Sequence, residues 1–270
     1  MAEASGEQFN ALVQLMERLR AENGCPWDRE QTHQTLKPFL IEEAYEVVEA
    51  IDEGDPKQIM EELGDLLFQV IFHAQVAAEQ REFTIGQVMA TATDKMVRRH
   101  PHVFGDSTAS TAHEVLEQWE ELKRKERNAA AAVPASALDG VPRELPGLLR
   151  AQRLQDKASR VGFDWPAIAG VTAKVEEEFC ELKEAIGSAA PEDIEQELGD
   201  VLFSLVNLAR FLNLSAEDAL RKSIARFSTR FRYIEAALQE DGRRLNEVGL
   251  EEMERLWQQA KSLDRSPHEP

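Results

Sequence analysis

The feature that most restricts this chain is that it says one thing twice. Residues 42–51, EEAYEVVEAI, and residues 177–186, EEFCELKEAI, agree at six of ten positions. The same displacement of 135 residues carries Glu62-Leu63-Gly64-Asp65 onto Glu197-Leu198-Gly199-Asp200. The segments between, DEGDPKQIM and GSAAPEDIE, differ in composition but not in length. Further on, the displacement falls to 131, pairing Lys95 and Arg99 with Arg226 and Arg230, and Trp119 and Lys123 then pair with Trp257 and Lys261. The order of elements therefore repeats from end to end, which is a duplication within one chain. The expected division is a first domain over 1–127, a linker over 128–147 and a second domain over 148–270. The linker, NAAAAVPASALDGVPRELPG, carries three prolines and two glycines, although its alanine run suits an extension of the preceding helix. The tail DRSPHEP reads as disordered.

Each copy reads as helices. Ala, Glu, Leu and Arg are abundant, glycine is sparse, and no convincing period-two pattern argues for a strand. In the first half one helix ends near Ile51 at the turn residues DEGDP. The next runs from about Pro56 to Val76, another from about Ile85 to Arg99, stopped by Pro101, and a last one holds Trp119. Short helices joined by short turns imply an all-α fold of antiparallel bundles. A half this small has little room to enclose a large ligand alone, so each bundle is expected to be completed by pairing of repeats or of chains.

The acids follow a fixed phase. At 100° per residue, Leu63, Leu66, Leu67 and Val70 make an apolar stripe with Glu62 and Asp65 along its edge. Ala44, Val47, Val48 and Ile51 make another, flanked by Glu43 and Glu46. Two such helices packed antiparallel through their stripes bring the acid pairs face to face. Four carboxylates so placed repel, and a divalent cation relieves that repulsion. Oxygen ligands without His or Cys select Mg²⁺, Mn²⁺ or Ca²⁺, and Mg²⁺ best shares its shell with phosphate. A solvated acidic face is the plain alternative; its recurrence at matching phase in both halves favours the cation. Gly64 and Gly199 serve either a close helix–helix contact or room for a ligand beside the acids.

Positive charge recurs too. Lys95 and Arg99 lie on one helix face, Trp119 and Lys123 on another, and Arg226, Arg230, Trp257 and Lys261 repeat the arrangement. Arg and Lys suit phosphate oxygens, and Trp suits a base, though surface pairs and core tryptophans look the same in sequence. The net charge of −19 argues against a nucleic-acid partner. Two cysteines suggest a reducing compartment, and MAEASGEQFN lacks signal-peptide character. LLFQVIFHAQVAA is too short to span a bilayer. The expectation is a cytoplasmic protein with no membrane partner. His100 and His102 beside Pro101 read as structural, Cys25 has no evident base, and no GxxxxGK[ST] loop is present.

Taken together, EEAYE with EELGD and EEFCE with QELGD resemble the Glu-Glu-x-x-Glu … Glu-x-x-Asp signature of the MazG family, all-α nucleoside triphosphate pyrophosphohydrolases, in its two-repeat bacterial form. GCPWD, RRHPHVF, ALDGVP and GFDW extend the resemblance over nearly the whole chain. It implies hydrolysis of nucleoside triphosphates to monophosphate and pyrophosphate, and a homodimer. Carried over by position, Glu178, Glu181, Glu197 and Asp200 would hold Mg²⁺ in the second half with Glu177 beside them as a catalytic group, and Glu43, Glu46, Glu62 and Asp65 would do so in the first. The C-terminal repeat is the one usually credited with catalysis. Arg226, Arg230, Trp257 and Lys261, with Lys95, Arg99, Trp119 and Lys123, would bind the nucleotide. Arg226 stands where the pattern favours Lys, which Lys95 retains, and Lys183 falls on the expected apolar stripe. Two competing readings differ in class. A di-iron carboxylate bundle needs Glu-x-x-His, found only at Glu30–His33, outside the acid helices. A non-catalytic nucleotide-binding scaffold or regulator needs no pyrophosphate release.

Overall fold

The computed structural model describes residues 2–130, 136–188 and 190–263. Within them lie α1 (Ala2–Arg20), α2 (Pro26–Glu30), α3 (His33–Glu53), α4 (Pro56–Glu79), α5 (Ile85–Arg99), α6 (Pro101–Phe104) and α7 (Ala112–Ala130). Then follow α8 (Gly147–Ser159), α9 (Ile168–Ser188), α10 (Pro191–Phe211), α11 (Ala216–Glu240), one 3-10 turn and α12 (Leu250–Leu263). No strand occurs among the described residues. The chain divides into two compact units, residues 1–123 and 124–270. The alanine run does extend α7, to Ala130. Residues 131–135 of the anticipated linker and 264–270 of the tail lie outside the described residues.

The helix ends follow local chemistry. Thr32 and Thr35 cap α3 reciprocally, and Gly54 ends it at φ 75, a left-handed turn that glycine adopts without strain. Asp55 caps α4 and Pro56 occupies its first position, so the chain reverses within two residues and α3 and α4 lie antiparallel. Thr84 and Gln87 cap α5, which stops at His100 ahead of Pro101. In unit 2, Pro191 opens α10 and Ser215 caps α11. Equivalent pairs form: α3 with α4 and α9 with α10. α1 packs on α4 where α8 packs on α10, so the duplication extends to helices the sequence alignment left unpaired.

Unit 1 is built on Met16, Leu36, Ile71, Phe72 and Val76, with Phe9, Leu12, Val13, Phe39, Phe68 and Ile85 packed around them. This corrects the expected stripes. Val47 is buried, but Ala44, Ile51, Leu63, Leu67 and Val70 are exposed. The reason is α1: it draws α4 inward through Phe68, Ile71 and Phe72, a face rotated away from Leu63 and Leu67. In unit 2, Phe179, Ile186, Leu198, Leu202 and Leu205 likewise face outward. Lys183 poses no packing problem, because it is exposed with Nζ 4.7 Å from the Phe179 ring centroid.

The loop before α3 is pinned by Arg20, whose side chain is 6% exposed. Its guanidinium donates to both carboxylate oxygens of Glu79 at 2.8 and 2.7 Å, and to the carbonyls of Asp28 and Gln31. Unit 2 pins its corresponding loop with Arg210 on Asp164, at 2.9 and 2.5 Å. There Trp165 lies so close to Gly170 that a Cβ would come within 2.6 Å of the ring.

Two stability outcomes are expected. Phe72→Ala should cost about 3–5 kcal/mol, measured by urea denaturation. Arg20→Met should also destabilise, with a defined pH dependence. The Arg20 hydrogen bond holds the Glu79 carboxyl below its ordinary value. The stabilisation it contributes is therefore present above the unfolded carboxylate pKa of about 4.3. It is lost as pH falls through the folded value, so the gap between wild type and variant should narrow in acid.

Candidate metal centre

Each antiparallel helix pair brings acids together. In unit 1, one oxygen each from Glu43 on α3 and from Glu62 and Asp65 on α4 lie within 4.8 Å of one another. In unit 2, Glu178 on α9 with Glu197 and Asp200 on α10 repeat the arrangement within the same limit. The geometry follows from helical spacing. Positions three apart on α4 or α10 share a face, and the antiparallel partner sets its acid opposite them. Glu46 and Glu181 stand outside these triads but beside them, since Glu46 acts on both Glu43 and Glu62, and Glu178 and Glu197 act on Glu181.

The electrostatics are those of crowded like charges. Burial, then repulsion from Asp65 and Glu46, raises the Glu43 carboxyl above its ordinary value against the hydrogen bond from Gln69. Burial and the charges of Glu46, Asp65 and Glu61 raise Glu62. Burial and Glu178 raise Glu181. Glu178 is buried, and Lys174 contacts it and Glu177 at 2.8 Å each. Those two carboxylates hold the ammonium above its ordinary pKa, Glu177 contributing first.

The donor set fits a hard divalent cation. Opposite oxygens around such an ion stand about 4.2 Å apart at Mg²⁺ bond lengths and about 4.8 Å at Ca²⁺ bond lengths. The triads meet that span, with no histidine or cysteine among their donors. Gly64 and Gly199 adjoin the acids, and a Cβ at either would meet nothing within 4 Å. No close helix–helix contact within the unit is made there, and the space beside each glycine is open.

The basic and aromatic residues gather in clusters of their own. Arg230 lies over the Trp257 ring at 5.5 Å and Arg99 over Trp119 at 5.7 Å. Trp257 is half-buried against Ile234, Leu238 and Leu256, and Phe227 stands 5.3 Å from it. It serves the core and offers Arg230 a platform at once. Lys123 pairs with Glu120 at 3.1 Å. Lys95 and Arg226 are on α5 and α11, one turn before Arg99 and Arg230, and Lys261 lies near the end of α12.

The weaker sequence candidates fall away from the acids. His100 Nδ1 bonds the Met96 carbonyl at 2.6 Å, and its ring packs on Trp119. His33, the one residue with di-iron-like spacing, bonds His73 at 2.8 Å. Sequence reasoning passed over Lys174 and Gln69. The signal for Lys174 was available: it stands one helical turn before Glu178, with a phenylalanine at the matching place in the first half.

The comparisons agree with this architecture. The family described as MazG nucleotide pyrophosphohydrolase domain matches residues 31–104 and 169–234. The chain is 47% identical over 262 residues to a nucleoside triphosphate pyrophosphohydrolase/pyrophosphatase MazG of Thermotoga maritima, covering 97% of this chain and 99% of that protein. It is 47% identical over 257 residues to a nucleoside triphosphate pyrophosphohydrolase of Escherichia coli K12, covering 94% and 97%. A Bacillus subtilis protein named YabN is 44% identical over 260 residues, which are 96% of this chain and 52% of that one. With the family matching both halves over the helices that carry the two acid triads, the chain belongs to the MazG nucleotide pyrophosphohydrolase family.

Proposed function

We propose that this chain is a divalent-cation-dependent nucleoside triphosphate pyrophosphohydrolase, converting NTPs or dNTPs to the monophosphate and pyrophosphate. The observation that carries the reading is the pair of carboxylate triads, one per repeat, in a chain of this family. The relatives' names supply the substrate class.

In this reading Glu178, Glu197 and Asp200, with Glu181 beside them, hold Mg²⁺ or Mn²⁺, and Glu43, Glu62, Asp65 and Glu46 do so in the first repeat. A bound divalent ion supplies positive charge to the triphosphate oxygens and acidity to coordinated water. Glu177, exposed next to Glu178, accepts the proton of the attacking water. The water oxygen bonds to the α-phosphorus, the bond to the bridging oxygen breaks, and pyrophosphate leaves with that electron pair. Arg226, Arg230 and Lys261 offset charge on the phosphates, and Trp257 offers its ring to the base. Lys95, Arg99, Lys123 and Trp119 are their counterparts.

The exposed apolar faces of α3 with α4 and of α9 with α10 support a homodimer. Ile51 is 57% exposed, Leu63 50%, Phe179 49% and Leu198 48%, more apolar surface than a lone bundle readily keeps in water. Among the described residues, no single helix is long and apolar enough to cross a membrane.

Two measurements check these readings. Glu178→Ala and Asp200→Ala should each lower turnover by roughly 100-fold or more, with Glu43→Ala and Asp65→Ala affecting it less. Pyrophosphate and phosphate should be quantified separately over a panel of NTPs and dNTPs. Undiminished turnover in all four variants would refute the site, and nucleotide binding without pyrophosphate release would make the chain a binder. Sedimentation should show a dimer that weakens when Leu63 and Leu198 are changed to Asp.

A further inference from the structure

The two centres share their carboxylates and differ in what neutralises them. In unit 2, Lys174 sits one turn before Glu178 on α9, its Nζ 2.8 Å from Oε1 of Glu178 and 2.8 Å from Oε1 of Glu177. The matching position in unit 1 is Phe39, which packs against the core and stands edge-on to Trp27 at 5.8 Å. There the inner carboxylate is met instead by an amide, Gln69 Nε2, 3.3 Å from Oε1 of Glu43. Gln69 in turn matches Ser204, whose hydroxyl donates to the Val201 carbonyl at 2.9 Å. The exchange is complete: ammonium for phenyl on one helix, hydroxyl for amide on the other. A third difference has the same sign, because Glu61, which repels Glu62, is Gln196 in unit 2.

An amide satisfies a carboxylate oxygen but leaves its charge in place, whereas an ammonium at contact cancels much of it. The triad of unit 1 therefore faces an incoming cation with its full negative charge. The triad of unit 2 faces it with part of that charge offset by an ammonium shared between Glu178 and Glu177.

We propose that Lys174 is a resident counter-cation that keeps the C-terminal centre weak for a free divalent ion, while the N-terminal centre holds one tightly without nucleotide. The inference rests on the metal-centre reading above. The C-terminal centre then takes its ion together with a polyphosphate, whose negative charge replaces what the ammonium cancels. The N-terminal centre keeps its ion between substrates.

Manganese alone is a suitable probe, its free concentration followed by electron paramagnetic resonance and its binding by calorimetry on the full chain. Wild type should show two sets of sites, the weaker by about tenfold or more. Asp65→Asn should remove the tight set and Asp200→Asn the weak one. Lys174→Met keeps the aliphatic stem and removes the charge, and it should convert the weak set to tight. Lys174→Arg keeps the charge and should leave the set weak, which a purely structural role for the side chain would not produce. Equal affinities in wild type, loss of the tight set in Asp200→Asn, or a set that stays weak in Lys174→Met would each overturn the proposal and leave the metal centres standing. No manganese bound at either centre, with or without a non-hydrolysable nucleoside triphosphate, would overturn both.

Discussion

Everything distinctive in this chain depends on holding like charges together. Carboxylates from two helices converge within 4.8 Å in each unit, an arrangement that repulsion and burial both oppose. Helices without other contacts would splay to relieve it. The cost is offset a few residues away. In unit 1, Phe68, Ile71 and Phe72 anchor α4 onto α1, one to two turns beyond Asp65. The caps at Thr32 and Asp55 and the left-handed Gly54 fix where each helix begins and ends. The acids are thus set by packing and capping groups that lie outside the triads themselves. Rigidity supplied from outside a site is what allows the site to stay electrostatically unfavourable until a ligand arrives.

The helix boundaries and the acid pairing were legible because both follow from local chemistry. α5 spans Ile85–Arg99 as its flanking Thr84 and Pro101 dictate, and α4 overran the expected end at Val76 by three residues, for want of a breaker before Gln80. Glu43 met Glu62 and Asp65 because a two-residue turn between helices of known phase leaves little freedom. The apolar stripes were misjudged because helical phase says which residues share a face, not which face a third helix will cover. Leu63 and Phe68 are equally apolar in sequence, and only the position of α1 separates the exposed one from the packed one. The glycines illustrate the same limit. Gly64 suits tight packing or empty space equally well, and the surroundings decide for empty space.

Duplication adds a form of inference that a single copy does not permit. Each repeat is a control for the other, folded from the same elements within one chain. Where both retain an acid, the residue serves something common to both units. Where they part, the change marks a difference in task or a relaxed constraint, and chemistry separates the two. Val48 against Lys183 is a relaxed constraint, since Lys183 lies exposed over Phe179 and engages no acid of the triad. Phe39 against Lys174 is of the other kind, because it places a charge in contact with a retained carboxylate.

That distinction bears on how two similar centres coexist in one chain. Had the repeats diverged by losing carboxylates, one centre would simply be dead. Both triads persist, and the divergence lies in the groups around them: an ammonium and Gln196 in one, an amide and Glu61 in the other. Changing the surroundings shifts the charge a cation meets while leaving the coordinating oxygens where the helices put them. Affinity and geometry are thereby tuned separately, because charge acts over several ångströms and coordination only at contact. A second centre that had merely decayed would have no reason to bury an amide against its inner carboxylate. Gln69 is 8% exposed and aims its amide nitrogen at Glu43. The proposed tight N-terminal centre accounts for an acid triad kept beside that amide.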